Sequence, residues 1–325
     1  MLAPKRHHLL LLLALALPAV GQSTKDLPSG APPIPIDATE DQIKAAVAGA
    51  RAGTDLNPKM WPNGARVAVC ITFDVDNESI SGPLPVPYSR GEYGALAAMP
   101  RILKLADKQH IPMSFFVPAM SFILHPELVE QIQQSKRHEI GIHGWVHENL
   151  PEAKDAAQEQ ELLTRAIAYL TKATGVRPVG YRAPSWEFTP HTLEQIQKAG
   201  FLYDSSMMAR DDPYEINSNG KATGLIELPI SWILDDFPYF GQLDEGMLPD
   251  PETVYMKIYK EEFDVAYEER GLFVLTMHPH ITGHRSRMVR LDQLISYMKT
   301  RRGVWFATTG EVAAYLKSQN PNLGH

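Results

Sequence analysis

In the stretch His138-Glu-Ile-Gly-Ile-His143-Gly-Trp-Val-His147-Glu-Asn149, a short apolar, strand-like run delivers two histidines four residues apart to a tight turn. Neutral imidazole is the commonest protein ligand for zinc and related ions, so two rings at one strand end can hold one cation. A third ligand is available upstream. In Arg66-Val-Ala-Val-Cys-Ile-Thr-Phe-Asp74-Val-Asp76-Asn-Glu78, an apolar strand pattern ends in two carboxylates spaced i, i+2. On a strand that spacing puts both on one face, with β-carbons about 7 Å apart. One carboxylate can join the metal while the other stays free as a base. A His-x-x-x-His pair by itself is weak evidence, and Gly144 stands where the zinc-protease helix motif carries glutamate. The acidic strand end, and further polar residues at later strand ends, turn the pair into a candidate site.

The elements that must position these groups alternate from Trp61 onward. Strand patterns at 66–75, 113–118, 139–143, 179–184, 201–205, 225–232, 272–278 and 304–308 are separated by helix patterns at 100–109, 126–136, 155–173, 190–199, 251–269 and 288–301. Such alternation implies parallel strands with crossover helices. Seven or eight units fit an α/β fold of the distorted (β/α) barrel type, one catalytic domain over 61–318, in which functional side chains gather at the C-terminal strand ends. Asp74, Asp76, His143, His147, Arg182, Asp204, His278 and His280 all fall at or just past the end of an apolar run. The competing architecture is an open doubly wound sheet, but the first strand lacks a glycine-rich phosphate loop.

The rest of the chain sets bounds. Residues 1–21 combine a basic start with the apolar run Leu9–Leu17 and small residues at Ala19 and Gly21. They read as a cleavable signal peptide, too short to span a bilayer, so a secreted or periplasmic protein without a stable membrane anchor is expected. A Pro-rich linker follows, and Thr39-Glu-Asp-Gln42 has capping-box spacing for a short helix running toward Gly53. Together they fill residues 22–60; 319–325 are a C-terminal tail. A net charge of −7 and a pI near 5.9 argue against nucleic acid and anionic membranes as partners, and a homo-oligomer stays open. Cys70 is the single cysteine, so no intrachain disulfide forms.

Four segments in order resemble the motifs of the polysaccharide deacetylase family, the NodB-homology, carbohydrate-esterase type. They are Thr72-Phe-Asp74-Val-Asp76, His143-Gly-Trp-Val-His147, Arg182-Ala-Pro-Ser-Trp186 and Leu275-Thr-Met-His278-Pro. The likeness covers about residues 61–318. It implies hydrolysis of N-acetyl groups of chitin, peptidoglycan or related sugars with a divalent metal on a distorted barrel. It also implies Asp74 as base, Asp76, His143 and His147 as metal ligands, Arg182 as the residue that orients the base, and His278 as general acid. Two departures stand out. Val75 separates aspartates that are usually adjacent, and Gly144 replaces the Ser or Thr that usually follows the first metal histidine. With Trp61-Pro-Asn-Gly-Ala-Arg66 and Trp232-Ile-Leu-Asp235-Asp236, they resemble the branch that holds atypical peptidoglycan deacetylases, allantoinases and cyclic imidases.

Three readings follow: deacetylation of an N-acetylated extracellular glycan, hydrolysis of a small cyclic amide or imide, or a catalytically silent carbohydrate-binding barrel. The first two use one chemistry. Three protein ligands leave open metal positions for water and the substrate carbonyl, and the mixed nitrogen and oxygen set suits zinc first, with cobalt, manganese or iron open. Arg182 either grips Asp74 or pairs with Asp204 or Asp236; the acid is either His278 or His280. Trp186, Trp232 and Tyr93 are the candidate substrate-binding residues, Tyr93 from an 82–94 loop that could cover the site. Glu78, Glu148 and Asn149 are expected to cap turns or support ligands.

Overall fold

The computed structural model describes residues 34–80, 85–241 and 248–324; the expected signal peptide and most of the Pro-rich linker lie outside them. Its centre is β2 (Val67–Asp74), whose eight residues are all buried. A near-continuous apolar run is what a parallel strand covered on both faces requires. β9 (Leu272–Met277) runs parallel along one edge of β2, from Ala68 opposite Leu272 to Phe73 opposite Met277. Along the other edge, β10 (Val304–Phe306) pairs with the start of β2, and β3 (Ser114–Val117) pairs with its end. The parallel series continues through β4 (Glu139–Ile142), β5 (Gly180–Tyr181), β6 (Tyr203–Asp204) and β8 (Lys221–Glu227). The chain beyond β8 then reaches β9 through one parallel bridge, Asp235 to Thr276, with Asp236 N–H donating to the Thr276 carbonyl at 3.2 Å. The result is the expected distorted (β/α) barrel, its last seam held by two residues instead of a strand.

Two regions depart from the alternation. The helix capped by Thr39 forms with its reciprocal capping box but stops at Ala46. Arg51–Asp55 is instead a strand, β1, paired antiparallel with β7 (Tyr214–Ser218), which itself pairs antiparallel with β8. The β7–β8 hairpin turns at Asn219-Gly220, both at positive φ (50° and 75°). That dipeptide is a favoured two-residue hairpin turn, and it is the sequence signal that a purely parallel reading passes over. The 251–269 helix also carries an internal π-helical segment, Val254–Ile258, and another, Gly94–Ala98, joins helices Pro85–Tyr93 and Met99–Gln109. Single π turns of this kind tend to sit near functional sites.

Candidate active site

Asp74 is the last residue of β2, and Val75 N–H donates to the Phe116 carbonyl at 2.8 Å, carrying the ladder one residue further. Strand alternation therefore extends to Asp76, and both carboxylates point the same way. Ser121 Oγ donates to the Val75 and Asp76 carbonyls at 2.6 and 3.1 Å, pinning the chain where it leaves the strand. His143 follows β4. Gly144 then takes φ +84°, where a Cβ would also meet Pro184 Cγ at 2.7 Å and Glu148 Oε2 at 2.8 Å, so the departure from Ser or Thr has a steric and conformational cause. Glu148 Oε2 accepts the Trp145 and Val146 amides at 2.8 and 3.0 Å and closes the turn that brings His147 back, its ring 5.0 Å from that of His143. The turn-capping expectation for Glu148 holds.

Asp76, His143 and His147 converge: one ligand-type atom from each lies within 4.8 Å of the others. His143 Nε2 is 3.5 Å from Asp76 Oδ1, and His147 Nε2 is 3.9 Å from Asp76 Oδ2. Three observations fit a cation here. His143 Nδ1 lies 2.8 Å from the Arg182 carbonyl, which fixes the tautomer and leaves Nε2 free as a ligand. Burial pushes both imidazoles down, His147 to about 3, so both are neutral donors. Asp76 Oδ1 is buried and accepts no hydrogen bond from the protein. Burial drives the Asp76 carboxyl well up; His278 opposes this, while Asp74, Asp235 and Asp236 add to it. A divalent charge would relieve that crowding.

Arg182 settles on Asp74 and not on the alternatives. Its Nη1 donates to Asp74 Oδ1 at 2.7 Å and to Thr72 Oγ1 at 3.1 Å, and its guanidinium lies 4.0 Å over the Phe116 ring. Burial would raise Asp74, but Arg182, His143 and His278 outweigh it, and the carboxyl is held below its ordinary value. Asp74 Oδ2 lies 3.7 Å from His143 Nε2 and accepts the Trp186 indole N–H at 3.4 Å. Trp186 in turn lies 4.2 Å from the half-exposed Trp232 ring, the planes tilted by 35°.

Facing them across Asp76 is His278, whose Nε2 is 3.5 Å from Asp76 Oδ2. Its Nδ1 meets Asp236 Oδ1 at 2.7 Å, and its backbone N–H donates to Asp236 Oδ2 at 3.0 Å. Thr282 Oγ1 donates to the same oxygen at 2.5 Å. Burial would lower this imidazole, but Asp236, then Asp235 and Asp76, raise it well above its ordinary value, so it carries a proton at neutral pH. His280, 5.8 Å away ring to ring, has no such carboxylate; burial and the nearby cationic groups push it well down, and neither ring nitrogen has a protein partner.

One expected residue is not gathered in. Tyr93 stacks on His284 at 4.4 Å, its hydroxyl donates to the Gly283 carbonyl at 3.3 Å, and Arg101 donates to that hydroxyl. None of its contacts is with the carboxylate–histidine cluster. Asp236 is the converse: sequence reasoning offered it only as a partner for Arg182. Its signal was the acidic pair Asp235-Asp236 ending an apolar run.

The polysaccharide deacetylase profile matches residues 65–203. A peptidoglycan deacetylase from Helicobacter pylori is 30% identical over 290 residues, an alignment covering 78% of this chain and 98% of that protein. The chain belongs to the polysaccharide deacetylase family, hydrolases that act on N-acetyl groups. Among solved structures, a Mycobacterium smegmatis protein assigned to the polysaccharide deacetylases superposes with TM-score 0.75 at 35% identity, covering 83% of this chain and 96% of that one. The allantoinase PuuE superposes at 0.72 with 27% identity, covering 82% and 95%. Among the described residues, no helix is long and apolar enough to cross a membrane.

Proposed function

We propose that this family member hydrolyses the N-acetyl group of an extracellular glycan, peptidoglycan or chitin-like, in a metal-dependent reaction. The observation that carries the reading is the order of groups across the site. An ionised Asp74 gripped by Arg182 and a protonated His278 held by Asp236 both lie against the Asp76, His143 and His147 set, the first 3.7 Å from His143 Nε2 and the second 3.5 Å from Asp76 Oδ2. A divalent cation held by Asp76, His143 and His147, zinc first with cobalt, manganese or iron open, would serve as the Lewis acid toward the acyl carbonyl and water.

Asp74 takes the proton of the attacking water as its oxygen bonds to the acyl carbon. Arg182 keeps the carboxylate ionised and fixes its direction through a charge-assisted bond. His278 delivers its proton to the departing nitrogen as the C–N bond breaks, leaving acetate and a free amine. Asp236, bonded to Nδ1, keeps Nε2 turned toward the reacting atoms. The Trp186–Trp232 pair offers an aromatic wall for a sugar ring beside the base. Tyr93, occupied by His284, has no part in this reading.

The name of the Helicobacter pylori relative supports a peptidoglycan substrate, and the leader-like residues 1–21 support export to where such polymers lie. A second reading, ring opening of a small cyclic amide or imide by the same residues, is supported by the similarity to an allantoinase and by Val75 and Gly144. Proton NMR of metal-loaded protein, with chelated protein as control, separates them. Incubation is with N-acetylglucosamine oligomers, peptidoglycan fragments and cyclic imides in turn. Metal-dependent acetate release supports the first reading; ring-opened product without acetate moves the protein to the second; turnover that survives chelation overturns both.

A further inference from the structure

A second pair of acids is buried away from the reacting groups. Asp204 ends β6, Glu227 ends β8, and the two are register partners on neighbouring parallel strands with no exposed surface. Burial disfavours two full negative charges side by side there, and both carboxyls are raised above their ordinary values. Glu227 Oε1 accepts the Ser206 and Met207 amides at 3.0 and 2.9 Å. Asp204 Oδ2 and Oδ1 accept the Ser206 amide and hydroxyl at 3.1 and 2.8 Å. Glu227 Oε2 meets no protein donor. Asp204 rises to about 6 and Glu227 well above its ordinary value, and Tyr181 and Tyr214 are the ionisable side chains whose charges act on the pair.

The bonds that leave this pair end at Arg182. Ser206 Oγ accepts the Ala183 amide at 2.9 Å, fixing the backbone next to Arg182. The Ser205 carbonyl accepts Arg182 Nε–H at 2.9 Å; Ser205 Oγ accepts Nη2–H at 2.9 Å while donating to the Leu228 carbonyl at 2.8 Å. Only Nη1 remains to reach Thr72 and Asp74. We propose that Asp204 and Glu227 are positioning residues: they lock the Ser205–Ser206 turn, the turn aims Arg182, and Arg182 aims Asp74. The proposal rests on the reading of Asp74 as the base. Packing alone gives no reason for the pair, since well-packed apolar residues of similar volume would hold two strands together at least as well as a buried charge.

The test uses the full zinc-loaded chain and needs no substrate in its first arm. The Arg182 Nε–H resonance, identified in ¹H–¹⁵N spectra by its loss in Arg182→Lys, reports how tightly the guanidinium is held. In Asp204→Asn it shifts and exchanges about 10-fold faster, while the acetate-release kcat falls about 10-fold with KM within about twofold and zinc content unchanged. Glu227→Gln, which keeps an acceptor for the two amides, stays within about threefold of wild type. Where Asp204→Asn does not fold, Ser206→Ala carries the same expectation. An Asp204→Asn or Ser206→Ala protein that loses only thermal stability, with the Arg182 resonance and the kcat of wild type, overturns the proposal. Undiminished turnover by Asp74→Asn overturns the base reading instead, and the resonance still decides whether the pair positions Arg182.

Discussion

Asp74 and Asp76 stand two residues apart on one face of one strand, share complete burial, and are in opposite conditions. Asp74 has a donor for each oxygen, Arg182 on one and the Trp186 indole on the other, and its carboxyl is held below the usual value. Asp76 has one oxygen without any hydrogen bond, sits among Asp74, Asp235 and Asp236, and is driven well above it. Residue type and depth are the same, so the neighbours assign the roles. A carboxylate supplied with fixed donors is already in its working charge state and can act as a base. A carboxylate left short of positive charge is a ligand awaiting a cation.

Breaking each member of this pair should separate the two roles. Asp76→Ala is expected to have the largest effect: loss of bound metal by elemental analysis and loss of turnover with it, because it removes one of three ligands. Asp74→Asn should keep metal content at the wild-type level and lower kcat by roughly 10²- to 10⁴-fold, the usual worth of a positioned base. An Asp74→Asn protein that loses metal, or an Asp76→Ala protein that keeps it, would reverse the assignment of the two aspartates.

A second comparison sharpens the first. Asp236 does for His278 what Arg182 does for Asp74: each fixes the charge of a reacting group with its opposite charge. The signs differ, and so do the limbs of the pH profile. The base is active above the folded-state pKa of Asp74, which is lowered, so the acid limb of kcat/KM lies below the ordinary carboxylate range. The acid is active below the pKa of His278, which is raised, so the alkaline limb lies above the ordinary imidazole range. Asp236→Asn removes the largest of the contributions that raise His278. Its alkaline limb should move to lower pH, with the acid limb in place and kcat near neutral pH down about 10- to 100-fold. A profile that narrows from the acid side instead would mean that Asp236 does not act through His278.

How much of this was legible in the sequence follows from what each feature depends on. The barrel strands and their helices were readable because buried parallel strands need unbroken apolar runs, and the groups at their ends stand out against them. Arg51–Asp55 was not readable as a strand: Arg-Ala-Gly-Thr-Asp has no apolar alternation, and its partner β7 lies some 160 residues away. Within the site, residue types suggested a metal site with a free carboxylate and the family resemblance added the acid, but Asp236 could not be matched to His278. The match exists only because the barrel closes at Asp235–Thr276, a seam no strand pattern announces. The placement of Tyr93 was hidden for the same reason in reverse. Its place shortly after the first motif is visible, but the helix Pro85–Tyr93 that forms where a loop was expected, and the stacking of its ring on His284, are tertiary outcomes.

The smallest effect belongs to the wall beside the base, and it bears on which substrate reading survives. Trp232 is 46% exposed although its ring rests on Trp186, whose indole N–H meets Asp74. Stacking of this kind is worth about 0.5–1.5 kcal/mol, so Trp232→Ala should raise KM roughly 2- to 12-fold with kcat little changed. Steady-state kinetics on N-acetylglucosamine oligomers of increasing length check more than the size of the loss. If the wall receives a sugar beyond the one being deacetylated, the penalty grows from the monomer to the longer oligomers and then levels off. A penalty independent of length points to a ring held within the catalytic pocket itself, the geometry a small cyclic amide would use. An unchanged KM on every substrate would return the tryptophan pair to the role of a packed rim that shields the Asp74–Arg182 bond from water.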